Sequence, residues 1–130
     1  MKTLLPPGGP RPTGYANGIS ARGRMIFTAG VIGWDETERF PEAGLAGQFR
    51  QVLKNILAIL AEDGAGPEHV VRMTCYVTSR DEYVAQAPEI GAAWRELMGR
   101  NYPAMAVVEV SALVEQEAKV EIEAIAVVRE

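Results

Sequence analysis

The sequence predicts an α+β domain in which two helices cover one face of a single β-sheet. Two stretches repeat apolar residues at three- and four-residue steps, the period of a half-buried helix. Four others alternate at two-residue steps, the period of a strand. Their order is strand, helix, strand, helix, strand, strand. Two amphipathic helices need an apolar sheet face to cover, and the strands supply one.

The chain's 130 residues fit one domain, 1–130. Residues 1–13 hold four of the eight prolines, which predicts an irregular N-terminal arm. "GRMIFTAGVIG", 23–33, reads as a strand, and "WDETERFPEAG" as a loop. In "LAGQFRQVLKNILAILAEDGAG", 45–66, Leu45, Phe49, Val52, Leu53, Ile56 and Leu60 form one stripe, and Gly64 and Gly66 end it. "PEHVVRMTCYVTS" is a strand with Val71, Met73, Cys75 and Val77 on one side and Arg72, Thr74, Tyr76 and Thr78 on the other. "SRDEYVAQAPEIGAAWRELMG" is the second helix, capped by Ser79 or Asp81 and broken or kinked early by Pro88. Ile90, Trp94, Leu97 and Met98 make its later stripe.

Strands at about 104–112 and 118–128 close the chain. Alternation groups Ala106, Val108 and Val110 against Met105, Val107 and Glu109, and Val120, Ile122, Ala124 and Ala126 against Lys119, Glu121 and Glu123. The second sheet face then carries Arg72, Thr74, Tyr76, Glu109, Glu121 and Glu123 beside Val107, Ile125 and Val127. A half-apolar face of that kind predicts an oligomer interface.

Composition narrows the function classes. The net charge is −4 and the basic residues are scattered, which counts against nucleic acid as a partner. The start has too short an apolar run for a signal peptide, and no stretch is long enough to span a membrane. A lone cysteine, Cys75, permits no internal disulfide and fits a reducing cytoplasm, the expected location. His69 has no second His or Cys near it, so no metal site is expected. No phosphate loop or Ser-His-Asp spacing is legible, and no cofactor is expected.

Several segments, in order, carry a family resemblance: "GYANGI", "FTAGVIGWD", "QVLKNILAILAEDGAG", "VVRMTCYVT" and "YPAMAVVEV…KVEIEAIAVV". From about Gly14 to Val128 the chain resembles the RidA/YjgF family of small trimeric proteins. The resemblance implies a chorismate-mutase-like fold with a mixed sheet that trimerises through its uncovered face, and ligand clefts between subunits. Active members hydrolyse enamines and imines and release ammonia; others are described as endoribonucleases or translation inhibitors. Carried over residue by residue, the family's N-terminal Tyr is Tyr15 and its water-holding carboxylate is Glu121. Its substrate-gripping Arg falls on Met105. The Ser and Gln of its glycine-containing strand fall on Ala29 and Val31, an Asn of the second helix on Ala87, and a Cys on Val107. Two positions keep their chemistry and five lose it.

Each candidate has two readings. Glu121, flanked by Val120 and Ile122, suits acid–base work in a cleft or a salt bridge to Arg72 or Lys119. Tyr15 bonds a ligand or pins the arm. Met105 fills space or walls a pocket for a substrate without a carboxylate. Trp34 rims a pocket or only packs. Cys75 reads as a buried, inert thiol. The resulting expectation is a RidA-type hydrolase with altered substrate choice. Glu121 is its catalytic residue, and Tyr15, Val31, Trp34, Met105 and Val107 bind the substrate. The alternative is a non-catalytic trimer that binds a metabolite or protein partner. A ribonuclease role rests on the family alone, and the acidic balance counts against it.

Overall fold

The computed structural model describes all residues, 1–130. In chain order the elements are β1 (Lys2–Leu4), β2 (Gly18–Ser20), β3 (Arg24–Phe27), β4 (Val31–Ile32), α1 (Leu45–Ala61), β5 (Val70–Val77), α2 (Arg80–Ala85), α3 (Ala87–Leu97), β6 (Ala104–Glu109) and β7 (Val120–Val128). A 3-10 turn, Pro67–His69, leads into β5. The main sheet runs β3-β7-β5-β6, with β4 also on β7. Only β5 and β6 are parallel; β7 is antiparallel to β3, β4 and β5. The sheet is therefore mixed, as expected. No helix is long and apolar enough to cross a membrane.

The helix stripe of α1 is buried as its period requires: Leu45, Phe49, Val52, Leu53, Ile56 and Leu60 all enter the core. Fully burying side chains of this size is worth about 1.5–3 kcal/mol each, an upper range. The helix stops earlier than the glycine pattern suggested. Gly64 takes φ +75° and the Ala65 N–H closes back on Leu60 O, a left-handed stop that suits glycine. At its start Gly44 offers no side-chain cap, and Gln86 Oε1 accepts the Ala46 N–H instead, at 2.8 Å.

The second predicted helix is two. Ser79 caps α2 by accepting the Glu82 N–H. The chain bends at Gln86, and α3 begins with Pro88 in its first turn, where a missing N–H costs nothing. The predicted strand 23–33 is also interrupted, between Phe27 and Val31. Thr28 there replaces strand pairing with its own bonds: its N–H donates to Ala124 O, and its Oγ1 accepts the Ala124 N–H.

Three further sequence readings change. The arm is not irregular throughout, because β1 pairs antiparallel with β2. Val71 does not share the face of Met73. The register shifts between Val70 and Arg72, a bulge that turns Val70 into the core and leaves Val71 half-buried. Val107 and Glu109 do not join the uncovered face. Parallel pairing sets Met105 opposite Met73, Val107 opposite Cys75 and Glu109 opposite Val77, and these β5 residues point to the helices. Glu109 then accepts the first N–H of α2, from Arg80, at 2.7 Å.

The core holds one polar side chain the stripe did not reveal. Gln48 is 1 % exposed. Its amide donates to Glu42 O and Glu117 O, at 3.2 and 3.0 Å, and accepts the Lys119 N–H at 2.8 Å. It ties α1 to both the loop before it and the loop that enters β7. Gln48→Ala leaves these backbone groups without a partner, and each unsatisfied buried group costs about 1–3 kcal/mol. The expected loss is about 2–4 kcal/mol in a urea titration with an unchanged m-value. A loss below about 0.5 kcal/mol would show that water replaces the amide.

Candidate functional site

Two candidate half-sites lie on opposite edges of the sheet. The first borders β6. An isolated parallel bridge joins Ala16 to Ala104, with the Ala16 N–H on Pro103 O at 3.0 Å. That bridge draws the end of the arm against β6 and brings Tyr15 beside Met105. A cavity of about 360 Å³ opens there. Tyr15, Tyr83, Trp94, Tyr102, Met105 and Val107 wall it, with Ala87 at the start of α3. Trp94 stacks on Tyr102 with centroids 6.3 Å apart and planes 6° from parallel. Burial raises the Tyr83 hydroxyl above the usual phenol value, which keeps it a proton donor. The Trp94 Nε1–H is buried without an acceptor. This is a largely apolar pocket with phenolic groups at its wall.

The second half-site lies on the uncovered face, beside β4. Glu121 pairs with Tyr76 on β5 and with Ile32 on β4. The Gly30 backbone closes over its carboxylate: a Cβ at Gly30 would stand 2.7 Å from Glu121 Cδ. The neighbouring carboxylate, Glu123, accepts the Tyr76 hydroxyl at 2.7 Å, and that bond raises the Tyr76 pKa. Neither expected salt bridge to Glu121 forms. Lys119 pairs with Glu82 at 2.9 Å, and Arg72 makes no ion pair. The same face exposes Phe27 (63 %) and Met25 (56 %), with Val108 half-exposed.

The predicted site residues are thus only partly brought together in one chain. Tyr15, Met105 and Val107 share the β6 pocket. Glu121 is on the other face, and Val31 packs against the core from the β4 edge. Trp34 lies against Phe40 at 6.3 Å, and its carbonyl accepts from Asn55 at 2.8 Å. Cys75 is buried, and desolvation pushes its thiol to about 12. No cluster of three His, Cys, Asp or Glu side chains is placed to hold a metal. Sequence reasoning missed Tyr83, Tyr102 and Gly30. Only Gly30 left a signal, as a glycine inside a strand pattern, which marks a close approach.

Residues 10–128 match the family described as Endoribonuclease L-PSP. The chain belongs to this family, the RidA/YjgF proteins. A RutC family protein of Pyrococcus abyssi is 35 % identical over 119 residues, 90 % of this chain and 89 % of that one. A 2-iminobutanoate/2-iminopropanoate deaminase of Escherichia coli is 33 % identical over 129 residues, 98 % of each chain. A solved Rid-family protein of Yersinia pestis matches with a TM-score of 0.82 at 29 % identity, over 98 % of each chain. The chorismate-mutase-like fold of the RidA/YjgF proteins accounts for the sheet order and its helical cover.

The contact between Gly30 and Glu121 can be tested by itself. Gly30 does not have a positive φ, so an added methyl acts through its contact with the carboxylate. Gly30→Ala is expected to cost about 1–3 kcal/mol, as overpacking does. Most of that cost should vanish when the same change is made in a Glu121→Ala background. Equal costs in both backgrounds, measured by denaturant titration, would refute the contact.

Proposed function

We propose that this protein is a RidA-type hydrolase of enamines or imines, working in clefts between the subunits of a homotrimer. The observation that carries it is the division of the site. A carboxylate without an ion-pair partner sits under the Gly30 turn near the β4 edge, and an apolar pocket sits on the β6 edge. A ring in which the β6 edge of one subunit meets the β4 side of the next joins the two halves. Such head-to-tail contacts close into cyclic assemblies. The exposed Met25, Phe27 and Val108 are the kind of apolar surface such an assembly covers. The deaminase relative from Escherichia coli supports the reaction class.

In this reading an enamine first takes a proton on carbon and becomes an imine. Glu121 accepts a proton from water as the water oxygen bonds to the imine carbon. The nitrogen gains protons, the carbon–nitrogen bond breaks, ammonia leaves and a carbonyl remains. Tyr15 hydrogen-bonds the substrate. Met105 and Val107 contact its apolar part, with Val31 and Trp34 contributed from the opposite edge. Position 105 offers no guanidinium to orient a carboxylate carried next to the reacting carbon.

Ammonia release from a panel of enzymatically generated imines, with and without a carboxylate, tests the reading. Glu121→Gln keeps the shape but not the base. It should abolish turnover while light scattering still reports a trimer. Full turnover in the variant, or a monomeric wild type, would sink the proposal. If no imine is turned over, the non-catalytic binding trimer takes its place.

The imines of alanine and leucine should be poor substrates, roughly ten- to hundredfold below the Escherichia coli relative. A hydrogen bond to a charged group is worth about 1.5–3 kcal/mol. Met105→Arg alone should not restore them, because Ala29, Val31, Ala87 and Val107 supply no polar side chain to support the new charge. Wild-type rates equal to the relative's would refute the first expectation, and a restored variant the second.

A further inference from the structure

The β6 pocket contains a single charged side chain, Arg95 on α3. The chain's ion pairs use Arg24, Arg50, His69, Arg80 and Lys119, so Arg95 has no carboxylate partner. Its guanidinium folds back along the helix. A Cβ at Gly91, one turn earlier and also in the pocket wall, would stand 3.3 Å from Arg95 Nη1. Glycine inside a helix is unfavourable relative to alanine. Here it leaves open the space beside the guanidinium. Tyr15 and Tyr102 also wall a second cavity, which carries Arg11 and Arg100 and no carboxylate. Neither of those arginines has an ion-pair partner either. Three unpaired guanidiniums therefore flank one aromatic wall in a chain of net charge −4. Arg22, Arg39, Arg72 and Arg129 are unpaired as well, so what sets these three apart is the aromatic wall they share.

We infer that the β6 pocket takes an amphipathic acid, and that Arg95 is its specificity-determining residue. The aromatic or branched apolar body of the ligand lies against Tyr15, Trp94 and Met105. Its carboxylate pairs with Arg95 at the rim, where the fork of the guanidinium meets both oxygens. As a substrate class this rests on the hydrolase reading above. It replaces the small 2-imino acid, whose carboxylate adjoins the reacting carbon, with an acid whose carboxylate is set apart by an apolar body.

Isothermal titration with phenylacetate, phenylacetamide and acetate tests the inference without turnover. Phenylacetate and the amide share the ring and differ in charge, and acetate lacks the body. Wild type should bind phenylacetate about ten- to hundredfold more tightly than phenylacetamide, the range for a hydrogen bond to a charged group. Acetate should bind more weakly than phenylacetate. Arg95→Gln should lose the preference for the acid while still binding the amide. Arg95 is exposed, so the variant is expected to fold, and circular dichroism checks this. Equal binding of acid and amide, an undiminished preference in the variant, acetate as tight as phenylacetate, or no binding of phenylacetate would each overturn the assignment. The two readings fail separately. An acid preference without ammonia release from any imine removes only the hydrolytic reading. Ammonia release without the preference removes only the role of Arg95.

Discussion

The parallel pairing of β6 with β5 is the constraint from which the site geometry follows. A parallel neighbour cannot be reached by a tight turn, so the chain must cross over, and α2 and α3 make the crossing. That crossing places both helices against the face that α1 already covers. It also leaves β6 as the edge strand on the side away from β3 and β4. Register does the rest. With Met105 opposite Met73 and Val107 opposite Cys75, the strand's larger side chains turn toward α3 and wall the pocket. A slip of one residue would move them to the other face.

The same arrangement explains why one chain looks incomplete as a catalyst. Glu121 sits at the start of β7, on the uncovered face, with Tyr76 opposite it and Glu123 two residues further on. The aromatic pocket is two strands and one face away. An unpaired carboxylate on a face that also exposes Phe27 and Met25 is an unusual surface for an isolated molecule. Each feature has a use if a second subunit covers that face, which is the arrangement proposed above.

Chemically the pocket is apolar on its strand side and polar around it. Position 105 carries a thioether and position 87 a methyl group, but the walls around them supply phenols and a guanidinium. The polar groups of the pocket stand on the arm, on α2 and α3 and on the loop before β6, while β6 itself contributes apolar side chains. Arg95 and Tyr102 lie outside the core cluster, so the polarity of the pocket is set apart from what holds the fold together.

The sequence by itself determined α1, the strands β5, β6 and β7 and the core of the helical layer, while the β1–β2 pairing and the break between Phe27 and Val31 escaped it. The three- and four-residue stripe of α1 named six of its buried side chains, because burial on one helix face has a single geometric solution. The C-terminal motif and the glycine stop were legible for the same local reason. Tertiary structure alone decided the faces of β6. Ala104–Glu109 is apolar on both sides until Glu109, so alternation offered two equivalent registers, and pairing with β5 chose between them. It also decided the bulge at Val71, the burial of Gln48, and the meeting of Tyr15, Tyr83 and Arg95 from three separate segments. No local pattern records these, since each depends on contacts between residues far apart in the chain.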